Sequence, residues 1–253
     1  MPYLFLAEHS RIYYEDRGQG EPVVFLHNGF WSSKTWDKIM PYLGEDYRII
    51  AYDRYGFGRS ARRQRIEPEL LHNGVEELAA VLEHLSLEKV HLCGHCLGGA
   101  IALLFASRYP DRVKSLVAES VGYFSNDVTI QKCEETFVPF ERTSPKNQQF
   151  MRDVHGPEYG PELWELLRRQ HVYIWDRGYN LEDALQKVPC PVLIISGDRD
   201  YWFSLEHALF AYKHLNAGQL WIVPDCGHNP HVERPQEFAL NLRRLLLNAT
   251  GAV

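Results

Sequence analysis

The sequence predicts an α/β protein: a mostly parallel, twisted sheet flanked by helices, with a helical lid inserted after the sixth strand. Three observations predict it. Short β-branched apolar runs recur along the chain, helical patterns lie between them, and one long stretch breaks the alternation.

The runs at 23–26, 48–52, 90–93, 113–118, 192–196 and 220–223 read as buried strands. The stretches 69–85, 99–108, 204–215 and 235–247 place apolar residues at helical spacing. Near-continuous apolar strands separated by helices imply parallel pairing with both faces covered. The segments 3–6 and 11–15 have no helix between them, so an antiparallel edge is expected there. From 122 to 187 no convincing buried strand occurs; helical fragments rich in charges and rings replace it, including Phe137, Phe140, Trp164, Tyr173 and Trp175. That is too long for an ordinary loop, and such rings need something to pack against. The expected organisation is therefore a core of residues 1–121 and 188–253 and a lid of residues 122–187.

Composition narrows the class. Of 253 residues, 45% are hydrophobic and 24% charged, enough for a packed core. The net charge of −6, from 27 basic and 33 acidic residues, argues against a nucleic-acid or anionic-membrane surface. No apolar run approaches the roughly 20 residues that span a bilayer. No basic, cleavable leader pattern is apparent, and five cysteines make a poor disulfide framework, so a cytoplasmic setting is expected. Neither a metal-ligand spacing nor a phosphate-binding glycine fingerprint is seen, so no metal and no cofactor are expected.

The densest chemical signal is Val90-His91-Leu92-Cys93-Gly94-His95-Cys96-Leu97-Gly98-Gly99-Ala100, where a strand ends in G-x-C-x-G and an apolar helix begins. In such a turn a nucleophile sits in a strained conformation at the sheet edge, and the flanking glycines let strand and helix approach closely. The nucleophile then meets a helix N-terminus, where anions and thiolates are favoured. The same letters hold a C-x-x-C, Cys93 and Cys96, so a thiol–disulfide oxidoreductase is the rival reading. Against it, a redox domain is shorter, a redox pair has no use for Gly98-Gly99, and hydrolase partners follow downstream. After the strand at 192–196 come Gly197-Asp198-Arg199-Asp200; after that at 220–223 come Asp225-Cys226-Gly227-His228. Nucleophile, acid and histidine thus occur in the order an acyl-transfer triad would take on this architecture.

These residues, with His27-Asn28-Gly29-Phe30 and Tyr52-Asp53-Arg54-Tyr55-Gly56-Phe57-Gly58-Arg59-Ser60, give the chain a clear resemblance to the α/β-hydrolase superfamily. The likeness spans nearly the whole length, and residues 156–175 resemble lids of esterase-like and valacyclovir-hydrolase-like members. It implies Cys96 as nucleophile, His228 as general base and acid, and Asp200 as the residue orienting His228, with Asp198 the competing acid. It also implies an oxyanion hole from the amides of Leu97 and Gly29. Most of the family carries serine where this chain has Cys96; the elbow is closest to dienelactone hydrolases, which are similar in using cysteine. Asn28 replaces the usual glycine after His27.

The expected activity is hydrolysis of a carboxylic ester, thioester or lactone through an acyl-cysteine. Thiolate is a good leaving group, so activated acyl groups suit it better than amides. An acyltransferase sharing the same acyl-cysteine, and a non-catalytic ligand-binding member of the fold, are the alternatives. The expected partner is a small acyl substrate, mostly apolar or aromatic, against Trp31, Trp164, Trp175, Tyr201 and Trp202.

Overall fold

The computed structural model describes residues 3–6, 10–44, 46–65, 69–174 and 178–249, with Ser10 and residues 170–174 described by their backbone alone. Eight strands form one sheet: β1 (Tyr3–Leu6), β2 (Ser10–Arg17), β3 (Glu21–Leu26), β4 (Tyr47–Asp53), β5 (Val90–His95), β6 (Val113–Glu119), β7 (Val192–Gly197) and β8 (Gly218–Val223). Their spatial order is β1-β2-β4-β3-β5-β6-β7-β8. β1 and β2 pair antiparallel at one edge, β2 joins β4 antiparallel, and every later pairing is parallel. The expected strands and the antiparallel edge are all present.

Side-chain alternation along the strands supplies two cores. In β3, Val24 and Leu26 face a layer shared with α2 (Leu70–His84), α3 (Leu97–Arg108) and α8 (Leu205–His214). Val23 and Phe25 face the opposite layer, covered by α1 (Met40–Leu43) and α10 (Pro235–Ala249). A strand buried on both faces has no polar side, which is why these runs read as continuous apolar stretches. α3 runs through the middle of the first layer and is apolar all round.

Between β6 and β7 lie α4 (Asp127–Thr136), α5 (Pro145–His155), α6 (Tyr159–Ile174) and α7 (Glu182–Lys187). The two ends of this insertion are tied together: the Leu181 amide donates to Tyr123 O, Ser125 N donates to Tyr179 O, and Phe124 bridges to Asn180. α7 follows that neck, and its Leu185 is fully buried in the same layer as α3. The protruding part has its own apolar cluster, in which Phe140, Met151, Leu163, Trp164 and Leu167 pack with Phe57 of the main body. Two buried polar side chains hold it down. His155 accepts from Gly58 N and donates to Phe30 O, while the Tyr159 hydroxyl donates to Gly56 O and accepts from Arg63 N. No helix among the described residues is long and apolar enough to cross a membrane.

Candidate active site

The carboxyl ends of the parallel strands bring the candidate residues together, the edge where open α/β sheets place ligands. Cys96 links β5 to α3 at φ 52° and ψ −114°, a left-handed conformation that a side-chain-bearing residue takes only under constraint. The constraint is visible. The Cys96 amide donates to Glu119 O at 2.8 Å, and Cys96 O accepts from Ala100 N at 3.0 Å. A Cβ on Gly94 would lie 2.5–2.6 Å from the backbone of Gly98 and Gly99, and one on Gly98 would strike the carbonyls of Leu26 and His27. Any larger residue at either position would push α3 off the sheet and relax the turn.

His228, in the loop after β8, faces this turn. Its Nδ1 lies 3.0 and 2.9 Å from the two carboxylate oxygens of Asp200, which leaves Nε2 for the cysteine side. Burial alone would depress the ring, but Asp200 and then the Cys96 sulfur outweigh it and raise His228 to about 10. Asp200 is itself fixed: its Oδ1 accepts from the amides of Trp202 and Phe203 at 2.8 and 3.3 Å. Asp198 has a different task. It accepts from Cys226 N at 3.3 Å, and its own amide donates to Val223 O, so it stitches the two loops together away from the imidazole.

The Asn28 departure has a local explanation. Asn28 Oδ1 accepts from the amides of Phe30 and Trp31, both at 2.9 Å, closing an Asx-type turn. Asn28 O is gripped by the His27 ring at 2.7 Å and by the Arg54 guanidinium at 2.6 Å. Four hydrogen bonds thus hold Asn28, and no hydrogen bond among the described residues engages the Gly29 or Leu97 amide. Gly29 lies against the Leu97 side chain. Two unclaimed donors therefore flank the cysteine turn, as an oxyanion requires. Burial lowers Arg54 to about 10, with Glu77 the largest opposing influence.

The rings differ in placement. Trp202 lies 6.4 Å from His228 and 6.2 Å from Phe30, which stacks on Phe137 at 5.2 Å. Trp31 meets Phe150 edge-on at 5.4 Å. Trp164 is 2% exposed, and its indole donates to Val138 O at 2.8 Å, so it is committed to packing the insertion. Tyr201 is 53% exposed. Trp175 lies outside the described residues. Cys93 is wholly buried in the opposite layer, where burial first and Glu119 second push its thiol well up; both Cys93 and Cys96 are free. A thiol so placed is unsuited to exchange.

Sequence reasoning missed several neighbours. Cys133 on α4 and Tyr179 both sense charge on Cys96, though burial is the larger cause of their raised values, about 12 for Cys133. His95, Glu119 and His231 gather behind His228, and their donor atoms lie within 4.8 Å of one another. Metal-ligand spacing in sequence could not reveal this group, because its members come from β5, β6 and α9 (Pro230–Glu233). Hydrogen bonds already occupy both ring nitrogens of His231 and Nε2 of His95, so the group reads as a polar network rather than a metal centre.

A family profile described as "Alpha/beta hydrolase family" matches residues 23–241. The chain is 41% identical over 249 residues to 2-hydroxy-6-oxo-2,4-heptadienoate hydrolase of Pseudomonas putida, covering 88% of each chain. It is 25% identical over 235 residues to the human serine hydrolase BPHL, covering 90% of this chain and 80% of that one. Among solved structures, a putative lipase from Acinetobacter baumannii matches at TM-score 0.81 and 21% identity over 99% of this chain and 92% of that one, a likeness of fold.

Proposed function

This chain belongs to the alpha/beta hydrolase family and is a hydrolase; on that premise we propose that it cleaves activated acyl groups through Cys96, His228 and Asp200. The observation that carries the reading is the strained Cys96 turn facing an imidazole whose Nδ1 is held by Asp200.

In the first step Sγ attacks the carbonyl carbon while the proton shared by the Cys96–His228 pair is held on His228 Nε2, the state that the raised imidazole favours. The negative oxygen of the tetrahedral intermediate is received by the amides of Gly29 and Leu97, each such donor contributing about 3 kcal/mol in the transition state. Collapse breaks the bond to the leaving group, which takes the proton from His228 and leaves an acyl-thioester on Cys96. Water, deprotonated by His228, then attacks the thioester and restores the thiol. Asp200 holds the imidazole in the tautomer that both transfers need and stabilises its protonated form.

A thiolate competes with an alkoxide for expulsion, so thioesters, aryl or enol esters and lactones are the favoured substrates. Phe30, Phe137 and Trp202 form a run of touching rings that reaches His228 through Trp202, and the inserted helices act as a lid over it. A second reading is favoured by the 41%-identical relative: cleavage of a carbon–carbon bond in a 2-hydroxy-6-oxo-dienoate. It uses the same nucleophile, with a stabilised carbanion as leaving group.

The test is a kinetic panel of p-nitrophenyl esters, acyl thioesters and a 2-hydroxy-6-oxo-dienoate, assayed with the intact chain and with Cys96→Ala. Turnover of the esters and thioesters that Cys96→Ala lowers by at least about 10⁴-fold supports the reading. Turnover of the dienoate alone would move the assignment to the second reading. Activity indifferent to Cys96→Ala would overturn both.

A further inference from the structure

Behind His228 lies a buried network that the acyl chemistry does not consume. Glu119, His95 and His231 are each wholly buried. Glu119 reaches both halves of the site. Its carbonyl accepts from Cys96 N at 2.8 Å, and its side-chain Oε1 accepts from His231 N and His231 Nδ1, both at 2.8 Å. His231 sits three residues beyond His228, so one residue ties the nucleophile turn to the histidine loop. From the other side, His95 Nε2 lies 2.9 Å from His228 O.

Proton placement follows from these partners. A carbonyl accepts, so His95 Nε2 carries the hydrogen and His95 Nδ1 is a bare lone pair. His231 Nδ1 donates to Glu119, so His231 Nε2 accepts from the Thr35 hydroxyl 2.6 Å away. Two buried acceptors are then left without a donor: His95 Nδ1 and Glu119 Oε2. The second carboxylate oxygen is also 2.8 Å from His231 Nδ1, but it is not aligned to accept from it. One added proton on Oε2 removes the negative charge from a buried carboxylate whose second oxygen has no partner, within a group whose donor atoms lie inside 4.8 Å of one another, and an unpaired buried charge is costly.

We propose that Glu119 is a neutral carboxylic acid in the working protein, and that Glu119, His95 and His231 are positioning residues which hold His228 against Cys96. The proposal rests on Cys96 and His228 acting as nucleophile and base. Burial is the largest influence raising Glu119, to about 7, while His95, His231 N and His228 oppose it and Asp200 assists. The groups facing it are His95 and Cys93 on β5, His231 on α9, and His228, Asp200 and Cys226 on the adjoining loops. When Glu119 ionises, an unpaired negative oxygen is left in the buried group, the group rearranges to relieve it, the grip on His228 O loosens, and turnover falls. A displacement of about 1 Å costs on the order of 10²-fold.

The test compares Glu119→Gln, Glu119→Ala and His95→Ala with the intact chain on one ester across about pH 5–9. Glutamine keeps the acceptor and supplies an N–H where the acid has O–H. Glu119→Gln is expected to stay within about 3-fold in kcat/KM below neutral pH, and the descending limb centred near 7 should vanish. Glu119→Ala and His95→Ala should each lose on the order of 10²-fold, in kcat rather than KM. Infrared spectroscopy of the substrate-free protein should show a protonated-carboxyl band that titrates near neutrality and is missing from Glu119→Gln. That band is independent of which residue is the nucleophile, so its presence supports the proposal even if Cys96 is not the reacting group. Absence of the band, an unchanged alkaline limb in Glu119→Gln, or a stoichiometric divalent cation in the purified protein would each overturn it.

Discussion

Two carboxylate–histidine pairs lie in the same site at nearly the same separation, and burial and neighbours drive them to opposite states. Asp200 and His228 are 2.9 Å apart, as are Glu119 and His231 at 2.8 Å. His228 keeps 14% of its side chain exposed and faces Cys96; it is raised to about 10. His231 is sealed under Trp36, 4.5 Å from its ring, and burial drives it down to about 3. A histidine beside a carboxylate is therefore not in itself a catalytic base. The neighbouring Cys96 and the partial exposure of His228 separate the pair suited to moving protons from the pair suited to holding position.

The sharpest way to break this contrast is to damage one pair at a time. Asp200→Asn should lower kcat/KM by at least about 10²-fold by misorienting the imidazole, with KM little changed. Asp198→Asn should cost far less, because Asp198 contacts Cys226 N and not the ring. The reverse ranking in steady-state kinetics would make Asp198 the acid.

The buried pair predicts a stability signature instead. His27, His91, His95, His155, His207 and His231 are all held below 6.5, in each case chiefly by burial. The unfolded chain binds their protons first, so their contribution is complete above about 6.5 and is lost as pH falls towards 4 and 3. Glu119 works in the opposite sense, losing its contribution as pH rises from 4.5 through about 7, and the raised Glu77 and Asp37 join it, but they are three groups against six. Urea midpoints should therefore fall steeply between about pH 6.5 and 4, and His231→Gln should make that slope shallower. A flat profile would mean that these rings titrate normally.

Much of this was legible in the chain. Six expected strands and the four long helices of the main body follow from periodicity; burial on both faces leaves five of those strands no polar side, whereas β8, at the sheet edge, was expected to be buried and is mostly half-buried. Cys96, Asp200 and His228 could be picked out because each follows a strand and neighbours a glycine, as a tight turn at a sheet edge requires. The Glu119 network could not. Its members are far apart in sequence and sit in apolar surroundings that resemble plain core: Glu119 ends β6, and His231 begins a helix too short to leave a periodic trace. The role of Asn28 was hidden for a related reason, since an Asx turn depends on where two amides point. Trp164 and Trp202 look alike as letters, and only packing separates them.

That separation gives a smaller effect. Trp202→Ser should change the ranking of acetyl, butyryl, octanoyl and phenylacetyl esters, since Trp202 lies beside His228. Trp164→Ser should mainly lower Tm, having lost a buried ring and its bond to Val138 O. Smaller still, Cys93→Ser should retain most turnover while losing about 1–3 kcal/mol of stability, because a hydroxyl replaces a fully buried thiol.

The central claim is that Cys96 carries the acyl group and His228 serves it. Intact-mass measurement after rapid acid quench from a p-nitrophenyl ester tests this directly, followed by peptide mapping of the adduct. The account predicts one acyl group per chain, on Cys96, accumulating when Asp200→Asn slows its hydrolysis and absent from Cys96→Ala. An adduct on another residue, or full turnover by Cys96→Ala, would contradict it.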